Sequence, residues 1–185
     1  FYIQTAYTSN PTENDLIDFY VDDVTITEPE PAKIQTDIAP LKSAYETYFK
    51  IGTAVTAGEL ASPTTQDFIK FHCNSLTPGN ELKPDAILDQ KATLALVEET
   101  GDQTQIAINL SGADSILKFA AENKIPVRGH TLVWHSQTPD WFFKENYDAN
   151  ADWVTPEVMD KRMENYIKTI METLAKDYPD VDFYA

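Results

Sequence analysis

The residues best equipped for chemistry lie in the run 127–141, which holds two histidines, two tryptophans and a glutamine. Side chains alternate between the faces of a strand, so an extended run would place His130 beside Trp134 and turn His135 to the opposite face. An imidazole that hydrogen-bonds a hydroxyl, next to an indole that offers an apolar wall, suits a sugar ring, and Gln137 adds an amide. A core histidine and tryptophan in a buried strand are the alternative. The separation of the histidines argues against a shared metal ion.

A second polar group, 75–85, is typical of a strand end followed by a loop. Asn80 and Lys83 can donate hydrogen bonds to sugar oxygens, although a solvated turn is the alternative. Glycoside hydrolysis usually requires two carboxylates that flank one bond. The chain has 30 acidic residues, and neither Glu81 nor Asp140, the nearest to these groups, has a context that marks a catalytic pair.

Strand-like and helical runs alternate through the part of the chain that would position these groups. Strands are predicted at 49–55, 74–77, 126–134 and 181–185. Helices are predicted at 65–71, 85–99, 111–123 and from Thr155 to Pro179, the last with Pro156 at its first position. This alternation predicts a parallel sheet covered by helices, either half of an eight-stranded barrel or a small open sheet.

The first residues follow a different pattern. Two strands, 1–7 and 17–27, flank a polar loop and predict a β-hairpin that needs a larger sheet. Alternating proline and glutamate then indicate a linker at 28–37. We therefore expect three segments: strands at 1–27, the linker, and an α/β domain at 38–185.

Composition excludes several classes of partner. The formal net charge of −16 disfavours nucleic acid and anionic membrane surfaces, and the sequence has no apolar run of about 18 residues that would predict a transmembrane helix. Cys73 is the single cysteine, so the chain has no internal disulfide, and we interpret it as a small core residue.

Three motifs together resemble a known family. The run 127–141 resembles the third-strand signature of glycoside hydrolase family 10, the endo-β-1,4-xylanases. Residues 80–83 resemble that family's second-strand motif, and 51–55 its first strand. The resemblance implies an α/β fold that is the N-terminal half of a (β/α)8 TIM barrel. It also implies retaining hydrolysis of xylan by two glutamates, without a catalytic cofactor. Because xylan is too large to enter cells, it implies a secreted, extracellular protein.

The family's binding residues carry over by motif. The resemblance implies that Asn80 and Lys83 bind sugar in two subsites on the non-reducing side of the cleaved bond. It implies that His130 bonds the sugar at the cleavage site, that Trp134 lines the same pocket, and that Gln137 reaches the next sugar.

Two departures from the family pattern matter. Gly79 stands where the family has a glutamate, which predicts weaker binding at the distal subsite. The family's acid/base glutamate follows the fourth strand, here 181–185, so neither catalytic carboxylate is expected in this chain; both are expected after Ala185. We therefore expect a second chain that carries the C-terminal half of the barrel. The alternative is a catalytically incomplete fragment that binds xylan or docks to another chain.

Residues 18–24 resemble the last strand of family 22 carbohydrate-binding modules, which are β-sandwiches. The hairpin would then be the remnant of such a module. The resemblance implies a possible structural calcium ion with Asp23 as a ligand, since calcium takes oxygen donors. A solvated aspartate near a strand end is the alternative.

Overall fold

Four short strands form one parallel sheet in the order β1-β2-β3-β4. The computed structural model describes residues 10, 12–15, 20–25 and 33–184. The strands are β1 (Gly52–Val55), β2 (Ser75–Pro78), β3 (Val127–Arg128) and β4 (Phe183–Tyr184). Each strand pairs with the next one along the chain, so the predicted parallel α/β arrangement is confirmed.

The sheet brings side chains from alternate strands together. Gly52 pairs in register with Ser75, and a Cβ on Gly52 would lie 2.9 Å from the Ser75 Oγ. The Ser75 hydroxyl in turn shares a hydrogen bond with the Tyr184 hydroxyl of β4. Side chains of β2 and β4 therefore converge on one face past β3, as they do inside a barrel, where alternate strands supply each layer.

Seven helices lie between and around the described strands. They are α1 (Leu41–Ala44), α2 (Ala57–Leu60), α3 (Pro63–His72), α4 (Pro84–Ile87), α5 (Gln90–Thr100), α6 (Asp114–Asn123) and α7 (Pro156–Asp177). Two 3-10 helices, Asp140–Phe143 and Glu145–Tyr147, precede α7. The predicted helix over 85–99 divides at Leu88 because Asp89 caps a new helix, accepting a hydrogen bond from the Ala92 N–H at 2.9 Å.

The longest helix begins where its sequence predicts. Thr155 accepts a hydrogen bond from the Val158 N–H at 3.4 Å, and Pro156 is the first helical residue. The buried face of α7 recurs every four residues: Arg162, Tyr166, Ile170 and Leu174. Three of these residues are apolar and the fourth is an arginine, whereas Met171 on the same helix is 54% exposed.

Two predicted elements differ in extent. The strand expected over 126–134 is only two residues long, because the chain leaves the sheet after Arg128 and continues in bends. The helix expected from Ser111 begins at Asp114, and the Ser111 N–H instead donates to the Asn109 side chain.

An apolar core lies between the sheet and its helices. Leu76 and Val127, neighbours across β2 and β3, are fully buried together with Ile69 of α3 and Ile116 of α6. Cys73 is buried beside this core, as predicted, and its thiol is free. Across the described residues, no helix has both the length and the hydrophobicity needed to cross a membrane.

The chain divides into two compact units, Phe1–Pro31 and Ala32–Ala185. The described residues of the first unit contain a 3-10 turn, Glu13–Asp15, and residues 20–25 are exposed and form no strand. The strand expected over 1–7, the other parts of the one expected over 17–27, and residues 28–32 of the linker lie outside the described residues. The hairpin stays a prediction.

Candidate active site

The polar residues singled out by sequence meet where β2 and β3 end. Lys83 is only 9% exposed, and its Nζ donates to the Asn80 Oδ1 at 2.8 Å and to the Gln137 Oε1 at 2.7 Å. The Gln137 Nε2 lies 3.5 Å from the same Asn80 oxygen. One buried ammonium therefore links the loop after β2 to the loop after β3.

Local backbone bonds hold this arrangement. The Lys83 N–H donates to the Asn80 carbonyl at 2.9 Å, which closes a tight turn directly before Pro84 begins α4. The Asp85 N–H donates to the Gln137 carbonyl at 2.9 Å and ties the two loops together. Gln137 has a φ of 50°, a left-handed conformation that turns its side chain back toward Lys83.

An aromatic wall stands beside the ammonium. The Lys83 Nζ lies 5.1 Å from the centre of the Trp134 ring, within the range of a cation–π interaction. The His130 ring lies 6.3 Å from Trp134, and the His135 ring lies 5.4 Å away in an edge-on orientation. The predicted pairing of His130 with Trp134 is present, but strand alternation is the wrong reason, because the strand ends at Arg128 and both histidines contact the indole.

The carboxylate nearest to these residues in sequence is engaged elsewhere. Glu81 accepts hydrogen bonds from the N–H groups of Ala57, at 2.7 Å, and Asn80, at 2.9 Å. Asp140 is exposed at the start of a 3-10 helix. The site thus presents amides, an ammonium, imidazoles and an indole, which can bind a neutral polyhydroxylated ligand.

A supporting cluster centred on Arg162 was missed by the sequence analysis. Arg162 is fully buried and donates to three carbonyl oxygens, those of Gln103 at 3.0 Å, Phe142 at 2.9 Å and Lys144 at 2.8 Å. Its guanidinium lies 3.7 Å from the centre of the Tyr147 ring. The cluster fastens the segment after β3 to α7. The available signal in the sequence was the position of Arg162, four residues before Tyr166 and so on the same face of the helix.

Burial sets the protonation behaviour of this cluster. It lowers the pKa of Arg162, and it raises the pKa of Tyr147 to about 12. The Tyr147 hydroxyl remains a donor at neutral pH and bonds to the carbonyls of Gln103, at 2.9 Å, and Gln105, at 2.6 Å.

The suggested calcium ligand lies in the first unit. Asp23 is exposed and has a φ of 52°. Among the described residues, the hydrogen bond found at Asp23 is local: its N–H donates to the Asp22 Oδ1 at 2.9 Å. Within the described part of the chain, no three His, Cys, Asp or Glu side chains converge as a metal site would require. The visible surroundings of Asp23 therefore do not form a calcium site.

Comparisons with known proteins identify the family to which most of the chain is similar. The model of glycosyl hydrolase family 10 matches residues 40–183. Endo-1,4-beta-xylanase Y of Acetivibrio thermocellus is 42% identical over 94% of this chain and 16% of its own length. The bifunctional endo-1,4-beta-xylanase XylA of Ruminococcus flavefaciens is 48% identical over 78% of the chain and 15% of its own length.

A solved structure shows the same likeness. The N-terminal endo-1,4-beta-D-xylanase 10B of Clostridium thermocellum, comprising CBM22-1 and GH10 modules complexed with xylohexaose, is 43% identical with a TM-score of 0.73. The match covers 80% of this chain and 27% of that one. The chain thus spans about a quarter of that structure and less than a fifth of the two curated relatives.

Proposed function

Because the chain belongs to glycosyl hydrolase family 10, we propose that it supplies part of the substrate cleft of an endo-1,4-β-xylanase. The observation that carries the proposal is the buried Lys83 ammonium, which bonds to Asn80 and Gln137 and lies 5.1 Å from the centre of the Trp134 ring, beyond the ends of β2 and β3. A family fold with a (β/α)8 barrel has its substrate site at this end of the strands.

Each site residue has a role in this proposal. Asn80 and Lys83 bind the two sugars on the non-reducing side of the cleaved bond, and Gln137 extends toward the next sugar. His130 hydrogen-bonds the sugar at the cleavage point, and Trp134 forms the apolar wall of that pocket. Neutral xylose units suit these groups because amides and an ammonium donate to hydroxyls while an indole covers the apolar face of the ring.

Bond cleavage requires carboxylates from elsewhere in the enzyme. We propose a retaining mechanism in which one glutamate acts as acid/base and another as nucleophile, both beyond Ala185 in the same polypeptide or in a second chain. That remaining part of the barrel would pair with the outer edges of β1 and β4. Family 10 hydrolysis uses no cofactor.

Xylan hydrolysis by the purified particle tests the activity, and its intact mass under native and denaturing conditions tests the assembly. A second polypeptide that separates only on denaturation, and whose sequence holds two glutamates essential for hydrolysis, would support a two-chain barrel. A particle of 20.8 kDa that cleaves xylan would overturn the assignment of the catalytic residues.

A binding-only function is the second candidate, and it is favoured by the chemistry of the cluster itself, which contains donors and an aromatic wall around Lys83. Calorimetry with xylohexaose separates the two. Binding without any release of reducing ends would favour the second candidate, whereas hydrolysis favours the first.

For the first unit, we propose the C-terminal strands of a family 22 carbohydrate-binding module over 1–27. Support comes from residues 18–24, which resemble the last strand of such a module, and from the similar Clostridium thermocellum structure, which contains a CBM22-1 module beside its GH10 module. A calcium ion at Asp23 would need its other oxygens from residues outside 20–25. Calcium titration of the native chain and of Asp23→Asn tests this; equal binding would exclude Asp23 as a ligand.

We also propose secretion, because the substrate is an extracellular polymer. Xylanase activity in the culture medium, compared with washed and lysed cells, tests it. Activity confined to the lysate would exclude secretion.

A further inference from the structure

Glu81 uses both of its carboxylate oxygens to join two different strand ends. Its Oε1 accepts from the Ala57 N–H at 2.7 Å, and its Oε2 accepts from the Asn80 N–H at 2.9 Å. Ala57 follows β1, and Asn80 follows β2. Glu81 is partly buried, as is its bond to Ala57, whereas its bond to Asn80 lies at the exposed end of the site.

The bonds of Glu81 continue the sheet past the point where its backbone ladder stops. The last link between the two strand ends is the Gly79 N–H, which donates to the Val55 carbonyl at 2.9 Å. Beyond this link, the Asn80 N–H, one residue after Gly79, and the Ala57 N–H, two residues after Val55, bond to the two oxygens of the carboxylate. A side chain thus fixes the separation of the two loops where the substrate site begins.

Capping of α2 explains only one bond of this carboxylate, the one to Ala57, which is the first residue of that helix. Thr56 and Glu59 already form a reciprocal capping box, with the Thr56 N–H bonded to Glu59 at 2.8 Å and the Glu59 N–H bonded to Thr56 at 3.2 Å. Helix α2 therefore has its own cap, and the second contact of Glu81 is directed at the Asn80 backbone.

Asn80 needs such support. The residue before it is glycine, which has no Cβ to restrict the backbone, and Asn80 itself is exposed. Its carbonyl is held by the Lys83 N–H and its side-chain oxygen by the Lys83 Nζ. The bond to Glu81 fixes the remaining backbone group, the N–H.

We infer that Glu81 is a positioning residue that fixes the Asn80 backbone so that the Asn80 amide meets the sugar beside Lys83. This inference rests on the proposed function. Glu81 does not touch the substrate; it acts through Asn80, and its effect falls on the binding of sugars at the non-reducing side.

The test compares Glu81→Ala and Glu81→Gln in the complete enzyme, with Glu59→Gln as the matched control. Glu59 bonds to the same strand-end loop and carries the same charge, but it does not contact Asn80.

On xylohexaose, Glu81→Ala should raise KM about tenfold with kcat little changed, because charge-assisted bonds that organise a binding group are lost. Glu81→Gln should fall in between, since an amide offers one acceptor oxygen instead of two. The control should match the native enzyme.

A second measurement separates positioning from general stability. Hydrogen exchange at the Asn80 amide should accelerate at least tenfold in Glu81→Ala and remain slow in Glu59→Gln. Native KM in Glu81→Ala, or equal losses in Glu81→Ala and Glu59→Gln, would overturn the role of Glu81. If the native enzyme neither binds nor cleaves xylohexaose, the proposed function is overturned. Hydrogen exchange at the Asn80 amide would still show whether Glu81 holds that N–H.

Discussion

At the scale of single residues, Lys83 determines the orientation of the two amide side chains at the site. Both amide oxygens next to it, those of Asn80 and Gln137, accept from its ammonium. The Asn80 amide nitrogen can therefore donate to a hydroxyl, and the Gln137 nitrogen, which lies 3.5 Å from the Asn80 oxygen, has a second hydrogen to donate. A lysine that is largely removed from water thus organises two neutral donors without presenting its full charge to the substrate.

Replacing Lys83 by methionine should weaken the binding of xylo-oligosaccharides about tenfold or more. The change keeps the length of the side chain but leaves two amide oxygens without their donor, so the amides lose their common orientation. Calorimetry on the complete enzyme measures the effect, with Lys91→Met on the exposed side of α5 as the control. Native affinity in Lys83→Met would show that the ammonium does not organise the amides.

Gly79 offers the opposite test, in which a group is added. A Cβ at this position would lie 3.3 Å from the Thr56 Cγ2 and 3.6 Å from the Val55 carbonyl oxygen, so a side chain fits after a small shift of Thr56. Gly79→Glu should improve hydrolysis of long xylo-oligosaccharides relative to short ones, because a carboxylate accepts from sugar hydroxyls. An unchanged ratio of the two rates would refute the expected defect at the distal subsite.

The sequence identifies the types of residue at the site better than their orientation. Asn80, Lys83 and Gln137 could be placed near one another because the carboxyl ends of neighbouring parallel strands lie at one edge of a sheet. The link through one ammonium could not be predicted. It depends on the bends after Arg128 and on the left-handed backbone of Gln137, and neither follows from local propensity.

At the scale of secondary-structure elements, α7 anchors the segment that follows β3. Arg162 bonds to carbonyls before and within this segment, and Asn165 donates to the Thr104 carbonyl at 2.9 Å. The start and buried face of this helix were predictable from Thr155, Pro156 and the four-residue spacing. The burial of Arg162 was not, because a charged residue is buried only where the tertiary structure supplies its acceptors.

Arg162→Met should destabilise the fold by about 2–4 kcal/mol, because three carbonyl oxygens lose their donor inside the protein. Urea denaturation measures the change. Lys168→Met, at an exposed position on the same helix, should alter stability by less than about 0.5 kcal/mol. Native stability in Arg162→Met would mean that relief of the buried charge offsets the lost bonds.

The loop between α5 and α6 should make stability depend on pH. Hydrogen bonds from Gln105 and Thr104 hold the pKa of Asp102 below its ordinary value. A carboxyl whose pKa is lower in the folded state stabilises the fold above its unfolded pKa, about 3.9, and this contribution disappears as the pH falls through the folded pKa.

Asp102→Asn should therefore be less stable than the native chain at neutral pH and should lose less stability between about pH 5 and pH 2. Urea midpoints measured across this range test the prediction. Parallel curves for the two proteins would contradict it.

At the scale of the whole molecule, 30 acidic and 14 basic residues give a net charge of −16, so like charges repel one another in the folded state. The four ion pairs found among the described residues are largely exposed and offset little of this repulsion. Raising NaCl from about 10 to 150 mM should raise Tm by a few degrees, because the Debye length shortens from about 30 to 8 Å. Thermal scans test this, and a Tm that falls with salt would show that attractive pairs dominate.

The contact between Gly52 and Ser75 constrains how this sequence can evolve. Alanine at 52 would bring a Cβ within 3.0 Å of the Ser75 Cβ, which no side-chain rotation relieves. Shortening Ser75 first would make room, but it would leave the Tyr184 hydroxyl without its partner. The three positions, on three different strands, therefore form an epistatic unit. Whichever hydroxyl is lost first, the other is left without its partner, so a lineage that enlarges Gly52 must pass through a less favourable intermediate.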